Sequence, residues 1–401
     1  MRKAATYHTN YRLPSLTGRG WGWVSWVCCI LLLLVACRRE PELHLFPTEE
    51  TKWFKLPVID LNLEVVWNYE TAAGMNYDWK SEWYYGWDDE DRRLFGELGY
   101  TEPTEFCLRR YYTSNVPKGP HTSVRAHTVT SNPFVAQYNW GFWDLLAWNN
   151  IHTIDGVQSL IFNEEATLDS VTAYTNQTMH PSRYNAPRYS HSFYEPEQLF
   201  AAYEQGIEIN KSLDGFKYDY ERMIYVKELT MTLEPVTYIY LTQVILHNNR
   251  GRIAGIDGSA NLSGLSRSVT LNTGYTGSDP ITVHFGARMK RDCRKQDELV
   301  DIIGGRLVTF GICNSNGFRT VSRQAVVDNS RHYMDVTMVF NNGNDSTFVF
   351  DVTEQVRQRF KGGVITVELD VDTIPIPSRR GGSGFDAVVK DFEEETYEIE
   401  M

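Results

Sequence analysis

Apolar side chains return at every second position in short runs along most of this chain, the period of strands that bury one face. Leu61, Leu63, Val65 and Trp67 alternate with Asn62, Glu64, Val66 and Asn68. Similar segments lie at 104–112, 122–130, 143–148 and 158–163, with turn-forming residues between them. In a longer run Val236, Tyr238, Tyr240, Val244 and Leu246 fall on one face, and Ile281, Val283, Phe285, Ala287 and Met289 repeat the pattern. Strands are also predicted at 307–312, 334–340, 347–352 and 364–371. At the C-terminus Tyr397, Ile399 and Met401 alternate with Thr396, Glu398 and Glu400. Such a terminal strand either completes its own sheet or fills a groove in a neighbour.

Two segments carry the helical period instead. Pro196 suits a first helical turn, Leu199, Phe200 and Tyr203 share a face, and Gly206 is placed to stop it, which predicts a helix over 196–206. A second helix is predicted over 351–360, with Asp351 and Glu354 at capping-box spacing and Val352, Val356 and Phe360 on one stripe. Many short strands and few helices predict a mainly β fold of sandwich type. The aromatic stretch 216–225 marks the expected boundary between an N-terminal sandwich, 56–225, and a C-terminal one, 226–401.

The beginning of the chain has neither period. Arg2, Lys3, Arg12 and Arg19 precede an apolar run from Val24 to Ala36, with no acidic residue among the first 36, and the run ends Leu34-Val35-Ala36-Cys37. Basic, apolar, small residue and cysteine in that order is the layout of a secretory signal. An apolar core of 13 residues is shorter than the ~20 that span a bilayer, and Arg38-Arg39-Glu40 follow at once. The order resembles a bacterial lipobox, which implies acylation of the Cys37 sulfur, cleavage before it, and a mature chain tethered to the membrane by its N-terminus. Acyl chains contribute roughly 0.8 kcal/mol per buried methylene, so several together hold firmly. The alternative is an uncleaved anchor helix; either places residues 38–401 outside the cytoplasm. Residues 37–55 mix charge and proline without period and suit a spacer that lifts the folded part off the bilayer.

The formal charge is −12, and without the four signal cations 35 basic residues face 51 acidic ones, a net −16. Such a surface repels phosphate backbones, so nucleic acid is not an expected partner. Beyond Cys37 only Cys107, Cys293 and Cys313 remain, with no zinc or CxxC spacing. They read as one pair plus a free thiol or, as expected here, as buried inert thiols. There is no phosphate loop, metal-binding HExxH or GxSxG elbow, and Gly381-Gly382-Ser383-Gly384 misses the last by a residue. The histidines are scattered. No catalytic residue, metal or cofactor is expected, and a binding role is favoured over an enzymatic one. The run Asp88-Asp89-Glu90-Asp91 offers carboxylates to calcium, but it lacks the spacing of an EF-hand and reads as a solvated acidic turn.

Eight tryptophans lie beyond the signal, and Trp67, Trp79, Trp83 and Trp87 fall within 21 residues beside Tyr69, Tyr77, Tyr84 and Tyr85. Buried, these rings fill a core, which is the expected reading. Exposed, Trp79, Trp83 and Trp87 would form a platform that stacks on sugar rings, the basis of a rival function as a surface glycan-binding lipoprotein.

The segment Gly141-Phe142-Trp143-Asp144-Leu145-Leu146-Ala147-Trp148-Asn149-Asn150 resembles the "G-aromatic-DLL-x-aromatic-NN" strand of fimbrillin-like lipoproteins of Bacteroidales. Residues 238–248, Ser263-Gly264-Leu265, Gly304-Gly305 with Thr309-Phe310-Gly311, and the Gly-rich 381–389 resemble later segments of that family in the same order. The resemblance implies two transthyretin-like β-sandwich domains, an outer-membrane lipid anchor, and a part in adhesion or pilus assembly beside fimbrial subunits. Residues 68–100 depart from the family pattern and read as an aromatic, acidic insertion in the first domain. Asp169-Ser170-Val171, Asp345-Ser346-Thr347 and Asp372-Thr373-Ile374 resemble the Asp-Ser/Thr-apolar acceptor of O-glycosylation in these bacteria, which marks Ser170, Ser346 and Thr373 as candidates.

Overall fold

The computed structural model describes residues 55–65, 78–114, 119–150, 159–163, 171–182, 188–315, 330–377, 386–389 and 398–400. Cys37 with the predicted signal, the spacer up to residue 54, Trp67 and Ser170 lie outside the described residues.

Alternating hydrophobicity becomes strand almost throughout. The chain opens with β1 (Val58–Val65), β2 (Phe106–Thr113), β3 (Ser123–Val129), β4 (Phe134–Gln137) and β5 (Gly141–Asn149). Four short strands follow, β6 (Leu160–Asn163), β7 (Thr172–Thr175), β8 (Gln177–Pro181) and β9 (His191–Tyr194), then β10 (Phe200–Ile209), β11 (Lys217–Asp219) and β12 (Ile224–Pro235). Next come β13 (Tyr238–His247), β14 (Ile253–Ser266), β15 (Ser268–Thr270), β16 (Pro280–Lys295) and β17 (Glu298–Thr309). The last are β18 (Tyr333–Phe340), β19 (Asp345–Asp351), β20 (Gly363–Asp370), β21 (Asp386–Val389) and β22 (Glu398–Glu400). Two short helices, α1 (Asp89–Phe95) and α2 (Thr353–Gln358), interrupt them.

The first sheet runs β3-β2-β5-β10-β12-β1-β4, with β11 on β12. The second runs β20-β13-β17-β16-β14-β18-β19-β21-β22, with β9 beside β16 and β8 beside β9. β15, β7 and β6 make a third, small sheet. The terminal strand β22 pairs with β21 of its own chain. Because β12 stays in the first sheet to Pro235, the chain passes between the large sheets at Val236 and Thr237, beyond residue 225.

Each large sheet curls over its own core. Leu61, Leu108, Trp143, Leu145, Phe200 and Leu233 fill the first, and Tyr240, Leu262, Val283, Phe285, Leu307 and Phe350 are among those filling the second. Full burial of one such large apolar side chain is worth roughly 1.5–3 kcal/mol. A third cluster joins Leu146, Trp148, Leu199 and Ala201 on the other face of the first sheet to Ala173, Val269 and Phe310.

The helix predicted over 196–206 is instead strand β10, paired antiparallel with β5 from Ala201 opposite Trp148 to Ile209 opposite Gly141. Burial on both faces misled the helical pattern: Phe200 and Ala202 enter one core while Leu199 and Ala201 enter another. Gly206 marks a bulge between Glu204 and Ile207 rather than a helix end, and its N–H donates to Asp144 Oδ1 at 2.7 Å. The second predicted helix is present as α2, without its predicted capping box. Asp351 accepts from the N–H of Thr353 at 3.0 Å, one position too early, and Val352 is the N-cap.

Residues 78–100, expected as an insertion in the first domain, lie as a strap on the outer face of the second sheet. On β13 the even-numbered Tyr240, Val244 and Leu246 point to the inner core, while Ile239, Leu241 and Ile245 point outward beneath Trp79, Trp83 and Tyr85. Buried Gln243 of β13 holds the strap as a neighbouring strand would. Its Oε1 accepts from the Tyr84 and Tyr85 N–H groups at 2.9 and 3.3 Å, and its Nε2 donates to Glu82 O at 2.7 Å. The Tyr85 ring lies flat on Gly304 and the Phe95 ring on Gly286, so closely that a Cβ on either glycine would overlap the ring. Gly304→Ala is therefore expected to lift the strap and cost about 1–3 kcal/mol, the usual range for an overpacked core. Calorimetry of the variant checks this, and an unchanged unfolding midpoint would show that the strap contributes little.

Candidate functional site

The segment Gly141–Asn149 is β5, an interior strand of the first sheet between β2 and β10. Gly141 has a positive φ of 134°, and a Cβ there would sit 2.8 Å from Thr113 O, so only glycine lets β2 and β5 close at that end. Trp143 is buried and donates from Nε1 to Asn139 O at 2.9 Å. Asp144 is buried and paired with His121 at 2.9 Å. At the opposite end Asn149 mimics a peptide group. Its Oδ1 accepts from Phe200 N at 2.7 Å and its Nδ2 donates to Gln198 O at 2.9 Å. Asn150 donates to Glu105 Oε2 at 3.0 Å.

These two asparagines form one wall of a cleft of about 580 Å³. The end of α1, the 101–105 loop, the 195–198 turn and the β17 residues Arg306 and Val308 complete it. Gln198 fixes two of those walls, donating to Gly99 O at 2.8 Å and accepting from Thr101 N at 2.6 Å. Among the described residues that line it, Glu97, Glu102, Glu105, Glu195 and Glu197 face a single cation, Arg306. Burial pushes the Glu195 carboxyl up to about 7 from its ordinary 4.5, although Arg306 and the Val308 N–H, 2.8 Å from Oε2, favour its ionised form. Burial raises Glu197 as well, against Ser159 and Arg306. The Arg306 Nε is buried without a hydrogen-bond partner among the described residues. Sequence reasoning missed this cleft because its parts come from five separate segments; the two acids of Glu195-Pro196-Glu197 are the only local signal that could have pointed to it.

The predicted sites are dispersed. Trp79 and Trp83 are 5% and 7% exposed, and Trp87 is half-buried. Their rings are tilted by 55° and 30° to one another, so they form no coplanar, solvent-facing platform. Two of them instead fill the space between strap and sheet, where each hides a large apolar area. In the run Asp88-Asp89-Glu90-Asp91 the first three acids are exposed, as expected of a solvated segment, but the run begins a helix and its last member is buried. Asp88 and Asp91 close a capping box at the start of α1, and Asp91 is buried against Arg288 and Lys290 of β16. Cys107, Cys293 and Cys313 are free thiols, the last buried and the others half-buried. Ser346 is half-buried in β19, and Thr373 is exposed, donating its hydroxyl hydrogen to Asp370 O at 2.7 Å.

No protein-family description matches the chain, and no curated protein sequence does. Among solved structures it is similar to a candidate adhesin from Bacteroides ovatus, 14% identical with a TM-score of 0.47, over 81% of this chain and 94% of that one. It is similar also to the fimbrial anchor protein Mfa2 from Porphyromonas gingivalis, 10% identical with a TM-score of 0.35, over 85% and 95% of the two chains. A fimbrial assembly protein from Parabacteroides distasonis matches at 7% identity and a TM-score of 0.26, over 74% and 86%.

Proposed function

We propose that the chain is a lipid-anchored protein of the outer cell surface that serves as an anchor or accessory subunit in a fimbrillin-like assembly, and that its role is adhesion without catalysis. The observation that carries the reading is the Gly141–Asn149 strand with Asn150. Its glycine, tryptophan, aspartate and asparagines each hold the first sheet together at a defined point, so the residues that carry the resemblance have structural parts in this chain.

Mechanically, acyl chains on Cys37 would hold the protein in the membrane, and an open sheet edge would accept a strand from a neighbouring subunit. The outer edge of β20 is closed, because the Gln355 side chain donates to Thr366 O at 2.9 Å and accepts from Thr366 N at 3.0 Å. β3, by contrast, pairs only with β2 among the described residues. Trp79 and Trp83 are buried and only Trp87 keeps part of its surface, so the tryptophans lend the glycan-binding alternative little support.

Affinity capture of tagged wild type and Cys37→Ala from intact cells tests the proposal. Wild type is expected to carry labelled fatty acid and to bring fimbrial subunits with it, whereas the variant loses the label and leaves the membrane fraction. Persistent label on the variant, or wild type that captures no fimbrial subunit, would refute it.

A further inference from the structure

We infer that the cleft is a binding site for a lysine- or arginine-bearing peptide segment, with the cationic side chain seated between Glu195 and Glu197 and a backbone carbonyl accepting from Arg306. The cavity, at about 580 Å³, lies within the ~300–1,000 Å³ typical of preformed ligand sites. Its walls include the apolar Phe95, Pro103, Pro196 and Val308, which suit the methylene stem of such a side chain. Five carboxylates against one guanidinium leave a strong excess of negative charge. Two of them are desolvated enough to resist ionisation, so Arg306 alone does not balance them. The Arg306 Nε is closed off from solvent, so a peptide carbonyl would reach the guanidinium through its terminal nitrogens.

Other ligands fit less well. A neutral sugar can donate hydroxyl hydrogens to the cleft's carboxylates, but it brings no charge to offset them. Among the described residues no three His, Cys, Asp or Glu side chains are placed to hold a metal ion. The inference does not rest on the fimbrial reading, since a peptide can bind whether or not subunits co-purify.

The probes are blocked pentapeptides with a central lysine, or norleucine in its place, titrated into the folded protein and followed by NMR. The lysine peptide is expected to saturate. Its affinity should fall by about tenfold or more in Glu195→Gln/Glu197→Gln, the loss of two hydrogen bonds to charged groups. It should fall less than about twofold in Glu221→Gln/Glu228→Gln, which removes the same charge from exposed positions elsewhere. Norleucine keeps the stem and drops the charge, so it tests the same point on unaltered protein and should bind about tenfold more weakly. Absence of saturation, equal losses in the two double variants, or equal binding of the norleucine peptide would each overturn the inference.

Discussion

Asp91→Ala is expected to destabilise the fold by roughly 1–3 kcal/mol, the cost of leaving buried donors unsatisfied. Asp91 is fully buried and accepts from the Tyr85 hydroxyl at 2.7 Å, Arg288 Nε at 3.0 Å and the Asp88 N–H at 2.9 Å, with Lys290 Nζ 2.5 Å away. Truncation would orphan the tyrosine hydroxyl and take the buried carboxylate from two cations, which keep Asp88 and Glu90 as partners. The loss should appear as a lower midpoint in urea and as earlier exposure of Trp79 and Trp83, read by fluorescence, because the strap is what the lock holds. Asp89→Ala is the control. Its carboxylate is exposed and, among the described residues, pairs with Arg92 within α1, so a change below ~0.5 kcal/mol is expected. If the two variants are equally stable, the lock is not what fixes the strap. Acid should act on the same element. Burial opposes it, yet the Asp91 N–H, Lys290 and Arg288 hold the Asp88 carboxyl well below the usual range. Its contribution is present at neutral pH, above the unfolded value, and is lost as the pH falls through the folded one.

Strands with one buried face were legible in the sequence because a period of two maps directly onto them: β1, β2, β16 and β18 lie where alternation places them. Strands buried on both faces were harder. β13 was predicted because its even positions alternate, but its odd positions gave no hint that another segment covers them. In β10, dense apolar residues between Pro196 and Gly206 imitated a helix that pairing with β5 overrides. The strap was beyond reach for a different reason. Its tryptophans follow no period, and its fixed points are Gly286, Gly304, Gln243 and Arg288, the last 197 residues from Asp91. The burial of Asp91 within an otherwise exposed acidic run was hidden because its two cations are so distant in sequence. The cleft has the same character: five segments meet there, and what distinguishes it is desolvation, which is a property of the assembled fold.

That desolvation gives the second large effect, at Glu195. The carboxyl moves from its ordinary 4.5 to about 7 in the folded chain, so the unfolded chain ionises first. Between those two pH values the folded state binds more protons, and stability must fall as the pH rises across the window, by about 3 kcal/mol in all, remaining low above it. Glu197 shifts in the same direction, so the diagnostic quantity is the difference between wild type and Glu195→Gln. An amide oxygen can still accept from Val308 N–H, and the amide carries no charge to desolvate. The variant should therefore match wild type near pH 4.5, gain on it steadily through pH 6 and 7, and exceed it by up to about 3 kcal/mol at pH 8, as urea unfolding at each pH would show. A constant difference across that range would mean that Glu195 is solvated in the folded protein. A carboxylate that weakens its own fold at neutral pH is a poor structural element. A cation seated against it reverses the sign, because it favours ionisation, releases the proton and returns the stored free energy as affinity. The lysine peptide should accordingly raise the stability of wild type most at pH 7 and above, where the bare carboxylate is most costly.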